Sequence, residues 1–79
     1  MTEAVVTLDL HGKNKYQAKT AIDALLRRSR GIYHVRLIHG FNRGTELREF
    51  IRDEYSGHAA VRRLDCREPG ITVLILREL

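Results

Sequence analysis

The apolar positions of this chain switch between two periods. In "AVVTLDL" (residues 4–10), Val6, Leu8 and Leu10 fall on one side and Val5, Thr7 and Asp9 on the other, a period of two that predicts a strand. Gly12 breaks the pattern. Asn14 then suits a helix N-cap, with Gln17 three residues later in capping-box position. Ala18, Ala21, Ile22, Leu25 and Leu26 follow at helical spacing, and "RRSRG" ends that helix with cations near its negative end and Gly31 beyond. "YHVRLI" reads as a second strand. After the glycine-bounded loop "GFNRG", Leu47, Phe50, Ile51 and Tyr55 mark a second amphipathic helix that ends near Ser56-Gly57. "AAVRRLDC" and "ITVLILREL" predict two more strands joined by the turn "REPG". Arg62 and Arg63, adjacent in the former, must point to opposite faces, so that strand is expected near an edge or only half buried.

The resulting order is β-α-β-α-β-β. A right-handed crossover makes the first two strands parallel, and the short "REPG" turn makes the last two antiparallel. With two helices available, the expected α/β fold is an α+β two-layer sandwich. Its four-stranded mixed sheet is covered by both helices on one face and open on the other. Leu25, Leu26, Phe50 and Ile51 are expected in the core.

Composition narrows the class. At 79 residues, the chain is expected to form a single domain over residues 1–79, with no linker and no low-complexity tract. It is 43% hydrophobic and 30% charged, as a soluble globular surface requires. No apolar run approaches a membrane span, Met1-Thr2-Glu3 lacks a secretory start, and a single cysteine fits a reducing cytoplasm. Cys66 itself is expected to be a small buried residue. The formal charge is +4, and eleven of the fourteen basic residues are arginine, whose fork matches phosphate geometry. An anionic partner and an ordinary solubilising surface are equally compatible with so modest a charge.

One motif changes that balance. His-Gly-x-Asn is spelled twice, "HGKN" at 11–14 and "HGFN" at 39–42, each time just after a predicted strand. In a parallel pair both copies reach the carboxyl edge of the sheet, where open α/β sheets bind ligands. Glycine permits a sharp turn and a close backbone approach, and helix N-termini offer free N–H groups to a phosphate. The motif would therefore gather His11, His39, Asn14 and Asn42 around one cleft. Asp9, two residues before His11, would share its face and could orient the imidazole for proton transfer. The plainer alternative is that His-Gly forms a turn and that Asn14 and Asn42 merely cap helices. His34 and His58 lie far from that edge. Asp9, His11 and His39 could hold a divalent cation, but their spacing is that of no recognisable metal motif. No other cofactor, and no serine or cysteine nucleophile, stands out.

"LDLHG", the helix that starts at Asn14, "IHGFNRGTELREFIR" and "GITVLIL" together resemble the Smr (small MutS-related) domain from about Val5 to Leu76. The resemblance implies a fold similar to the C-terminal domain of translation initiation factor three, in agreement with the element order above. It also implies nucleic-acid binding and, in several members, endonuclease cleavage of DNA or RNA, including messenger RNA on ribosomes. The family's Leu-Asp-x-His motif matches Leu8, Asp9, Leu10 and His11. Its second motif, commonly Thr-Gly-x-Gly, is altered. His39 stands for the threonine and Asn42 for the last glycine, with Gly44 two residues on.

The expected protein is thus a stand-alone, bacterial-type nucleic-acid-binding domain of the cytoplasm, with RNA preferred over DNA and the ribosome as one candidate partner. In an endonuclease version His11, Asp9 and His39 carry the chemistry. Lys13, Asn14, Lys15, Gly40, Asn42, Arg43, Gly44, Thr45 and Arg48 hold the phosphates. The alternatives are a non-catalytic RNA- or ribosome-binding module and a protein-interaction domain that uses the open sheet face.

Overall fold

The computed structural model describes residues 4–40 and 44–78. Its elements are β1 (Val5–Asp9), α1 (Lys15–Leu26), β2 (His34–Ile38), α2 (Gly44–Tyr55), β3 (Arg63–Asp65) and β4 (Ile71–Ile75). They form one four-stranded sheet in the order β1-β2-β4-β3. β1 runs parallel to β2, β4 is antiparallel to β2, and β3 is antiparallel to β4. The α+β architecture expected from the element order is the one observed, and β3 lies at an edge, with Arg63 inside the strand and Arg62 just before it.

Alternation decides which side chains enter the core. Val35 and Leu37 from β2 and Thr72 and Leu74 from β4 are buried, and Val6 and Leu8 from β1 pack against them. α1 contributes Ala18, Ile22 and Leu26, and α2 contributes Leu47, Ile51 and Tyr55, all to that single core. Both stripes recur every four residues, so each helix turns one face to the same side of the sheet. Leu26 and Ile51 are buried as expected, while Leu25 and Phe50 are half-buried at its margin. The opposite sheet face carries Val5, Thr7, Asp9, His34, Arg36, Ile38, Val73 and Ile75 and has no helix over it among the described residues.

Local chemistry fixes the start of α1. Asn14 is extended (φ −84°, ψ 176°). Its side-chain oxygen accepts from the Gln17 N–H at 2.8 Å, and the Gln17 side chain accepts from the Asn14 N–H at 3.0 Å. Two N–H groups that the first turn leaves unpaired are thereby satisfied. The helices are tied by Tyr55, whose buried hydroxyl donates to Asp23 at 2.7 Å, and by Lys19, which donates to Asp23 at 2.9 Å and to Glu54 at 3.3 Å. Burial and the Asp23 bond push the Tyr55 hydroxyl far above its ordinary pKa, so it remains a donor.

Two expectations require correction. The third strand is three residues long rather than the whole of "AAVRRLDC". Cys66 is exposed, because β3 stops at Asp65 and leaves it in the turn. The Asp65 carboxylate draws the chain into that turn by accepting from the Arg67 backbone at 3.1 Å and from its guanidinium at 2.7 Å.

Candidate functional site

The carboxyl ends of β1 and β2 and the turn before β4 meet at one sheet edge. Leu10 N–H donates to the Ile38 carbonyl at 2.7 Å, and the N–H groups of His39 and Gly40 both donate to the Gly70 carbonyl, at 2.9 and 3.0 Å. Gly12 and Gly40 turn the chain there with almost the same backbone angle, φ +80° and +82°. A Cβ at either glycine would meet no described residue within 4 Å. The requirement for glycine is therefore conformational rather than steric.

The doubled motif is nevertheless not symmetric in space. β1 pairs with β2 so that Leu8 lies beside Leu37 and Asp9 beside Ile38. Continuing that register sets Leu10 beside His39 and His11 beside Gly40, one residue out of step. A one-residue offset exchanges the faces of a sheet. His39 accordingly falls on the core side with Val35 and Leu37, and His11 on the open side with Thr7 and Asp9.

Their environments differ to match. The His11 side chain is 74% exposed. Its Nδ1 donates to Asp9 Oδ1 at 2.8 Å, and its backbone N–H donates to the same oxygen at 3.1 Å. These two bonds, ring first, hold the Asp9 carboxyl below the usual carboxylate range, so it is ionised at neutral pH. A carboxylate that accepts from Nδ1 leaves the lone pair of a neutral imidazole on Nε2. No described residue bonds that nitrogen.

His39 is 4% exposed and held at both ring nitrogens. Gly40 O can only accept, so Nδ1 donates to it at 3.1 Å, and Nε2 accepts from the Thr72 hydroxyl at 3.0 Å. Burial lowers its pKa from the ordinary 6.5; the Gly40 bond opposes the shift and the Arg48 cation adds to it. A histidine kept neutral by the fold stabilises the protein above its unfolded pKa and loses that stability as pH falls, because the unfolded chain then binds the extra proton. Thermal stability should therefore decline as pH drops below about 6.5 and level off below the depressed folded value. The pH slope in that window should be much reduced in His39→Gln, as read from melting curves. An unchanged slope would assign it to other groups.

A cleft of about 250 Å³ opens between the two helix starts, lined by Gly12, Lys13, Asn14, Lys15, His39, Glu46 and Leu47. Lys13 has no ion-pair partner among the described residues, whereas Lys15 Nζ lies 3.4 Å from Glu46. Asn14 spends its oxygen and its backbone N–H on the cap. Arg48 is exposed in the first half of α2, close enough to His39 to influence its titration. Gly40 shapes the second turn and Gly44 opens α2. Asn42 and Arg43 lie outside the described residues, as does the side chain of Thr45. Among the described residues no three His, Cys, Asp or Glu side chains converge as a metal site, and Asp9 and His11 do not meet His39.

The structure thus brings together Asp9 with His11, and Lys13, Asn14, Lys15 and His39 around the cleft. Two residues escaped the sequence reading. Thr72 receives the His39 ring, and its signal was a lone hydroxyl inside the apolar run "ITVLIL". Tyr16 stands out from the first turn of α1.

The glycine turns, the helix starts and the exposed imidazole of this two-layer domain share one strand-end edge. The chain belongs to the Smr domain family, whose model matches residues 8–73. It is similar to the Smr domain of Thermus thermophilus MutS2, with 30% identity, a TM-score of 0.80, and 92% of this chain and 99% of that one covered. No curated protein matches the chain significantly. Smr domains are nuclease-like, nucleic-acid-binding domains. No described helix is long and apolar enough to cross a membrane.

Proposed function

We propose that this domain binds RNA in preference to DNA at the strand-end edge and cleaves it with His11 as proton acceptor. The observation that carries the reading is the exposed Asp9–His11 pair, its Nδ1–Oδ1 bond 2.8 Å long, beside the Gly12 turn and Lys13. Asp9 fixes the tautomer. Nε2 then takes the proton of a ribose 2′-OH as that oxygen attacks the adjacent phosphorus. A new P–O2′ bond forms and the P–O5′ bond breaks, the leaving oxygen taking a proton from solvent or a second acid. The products are a 2′,3′-cyclic phosphate and a 5′-hydroxyl. RNA supplies this nucleophile internally and DNA does not, which is the basis for the preference. Lys13, Lys15 and Arg48, with N–H groups of the helix starts, hold the charged backbone. Asn42, Arg43, Gly44 and Thr45 belong to the same proposed phosphate contact. His39 is assigned to hold the Gly40 turn rather than to transfer protons.

A binding-only reading has one observation in its favour. Both ring nitrogens of His39 are engaged, so no second imidazole stands ready to protonate the leaving group. In that case structured RNA, including a ribosomal surface, would dock on the same cleft. End-labelled single-stranded and structured RNA, incubated with purified protein and resolved on a gel, separates the two. Cyclic-phosphate ends support cleavage, and retention without cleavage supports binding alone.

Binding should also weaken as salt rises, since phosphate contacts release counterions. Lys13→Ala should reduce the logarithmic salt slope by about 0.7 on a single strand. Lys15→Ala should reduce it less, because Glu46 already competes for that ammonium. Equal slopes for parent and Lys13→Ala, measured by fluorescence anisotropy across a salt series, would remove Lys13 from the interface.

A further inference from the structure

Tyr16 is 79% exposed, the most exposed large apolar side chain among the described residues. It occupies the first turn of α1, between Lys15 and the capping Gln17, on the side away from the buried stripe of Ala18, Ile22 and Leu26. Its ring belongs neither to the core nor to the margin packed on it among the described residues. Its carbonyl accepts from the Thr20 hydroxyl at 2.9 Å, while its own hydroxyl bonds no described residue. Singly exposed apolar residues are ordinary; the position of this one is what matters. Lys13 and Lys15 precede it, and it lies five positions after His11, so their Cα atoms are within about 18 Å. The connection is rigid. Lys13 N–H donates to the Leu10 carbonyl at 3.0 Å, and the Asn14–Gln17 capping box locks the helix start. A solvent-facing aromatic ring on a rigid helix start, following two cations, is the combination with which single strands are held: charge tracks the backbone and the ring takes the face of a base.

Resting on the nucleic-acid reading above, we propose that Tyr16 is a base-stacking platform that makes the preferred ligand an unpaired, single-stranded segment. In a duplex both faces of each base are covered by neighbours, so the ring finds nothing to stack on. In a single strand every base offers a face, so the preference is for strandedness and not for sequence.

The test uses the intact protein and three labelled RNAs of about ten nucleotides: oligouridine, an abasic strand of equal length, and a duplex. Tyr16→Ala should weaken oligouridine binding by about 5- to 150-fold, the usual range for loss of one stacked base. Tyr16→Phe should stay close to the parent, since the face and not the hydroxyl is used. Abasic strand and duplex should bind parent and Tyr16→Ala alike. If Tyr16→Ala binds oligouridine as the parent does while Lys13→Ala loses affinity, stacking is refuted and the nucleic-acid reading stands. An equal loss on the abasic strand would refute stacking as well, by making the effect one of backbone contacts. If the parent binds none of the three, the underlying reading falls and this proposal with it.

Discussion

Replacing His11 by alanine should abolish nearly all cleavage while leaving fold and affinity close to the parent's. A positioned acid–base group contributes about 10²–10⁴-fold to rate, roughly 3–5 kcal/mol of barrier. Little of that appears in ground-state binding. The fold should survive because the ring is exposed and packs on no part of the core. Asp9→Asn is the companion. The amide can still meet Nδ1, but it no longer carries the charge that stabilises an imidazolium, and its NH₂ can turn towards the ring and favour the other tautomer. Its loss should equal that of His11→Ala or fall below it. Cleavage by His11→Ala at the parental rate would exclude the imidazole from the chemistry. Release of RNA together with loss of cleavage would make His11 a binding residue instead.

The reason that His11 and not His39 is the candidate lies in strand alternation, and it could be read in the chain. "YHVRLIHG" sets His39 in phase with Val35 and Leu37, whereas "VVTLDLHG" sets His11 in phase with Thr7 and Asp9. The eye takes the repeated His-Gly as a pair of equivalent sites. The period of two assigns one histidine to the core and the other to solvent. Its consequence is visible in the 4% exposure of His39. The capping box of α1 was equally legible, because Asn14 and Gln17 act within a single turn and need nothing from the rest of the fold.

Features set by distant partners were harder to read. "AAVRRLDC" has strand composition, yet β3 comprises Arg63–Asp65. Ala59 and Ala60 instead form the turn that leaves α2, where the Ala60 N–H donates to the His58 ring at 3.0 Å. Pairing with β4 is confined to the three residues opposite Val73, Leu74 and Ile75. The position of β4 between β2 and β3 is likewise tertiary. It decides that the Gly70 carbonyl receives the N–H groups of His39 and Gly40, a contact that joins the second glycine turn to a segment thirty residues away. The environment of His39 is tertiary too: burial lowers its pKa, and Thr72 of β4 supplies the partner of its Nε2.

Helical spacing alone made Leu25 and Ile22 equivalent members of the α1 stripe, and the structure separates them. Ile22 is fully buried among the core residues of both helices and the sheet, while Leu25 is half-buried at the margin. Truncating a buried aliphatic side chain removes its transfer free energy and leaves a cavity that a close-packed interior closes incompletely. Ile22→Ala should therefore cost towards the upper part of the range of about 2–5 kcal/mol. Leu25→Ala should cost less, since water already reaches part of that side chain and can fill the space. A small single-core domain has a total stability of only about 5–15 kcal/mol, so the first substitution should leave a substantial unfolded fraction at physiological temperature. Urea titration followed by far-ultraviolet circular dichroism measures both. The midpoint should fall in the order parent, Leu25→Ala, Ile22→Ala, with similar slopes if each variant unfolds from the same native state. A midpoint for Ile22→Ala at or above that of Leu25→Ala would mean that α1 sits on the sheet with a different face, and the cleft between the helix starts would then have to be redrawn.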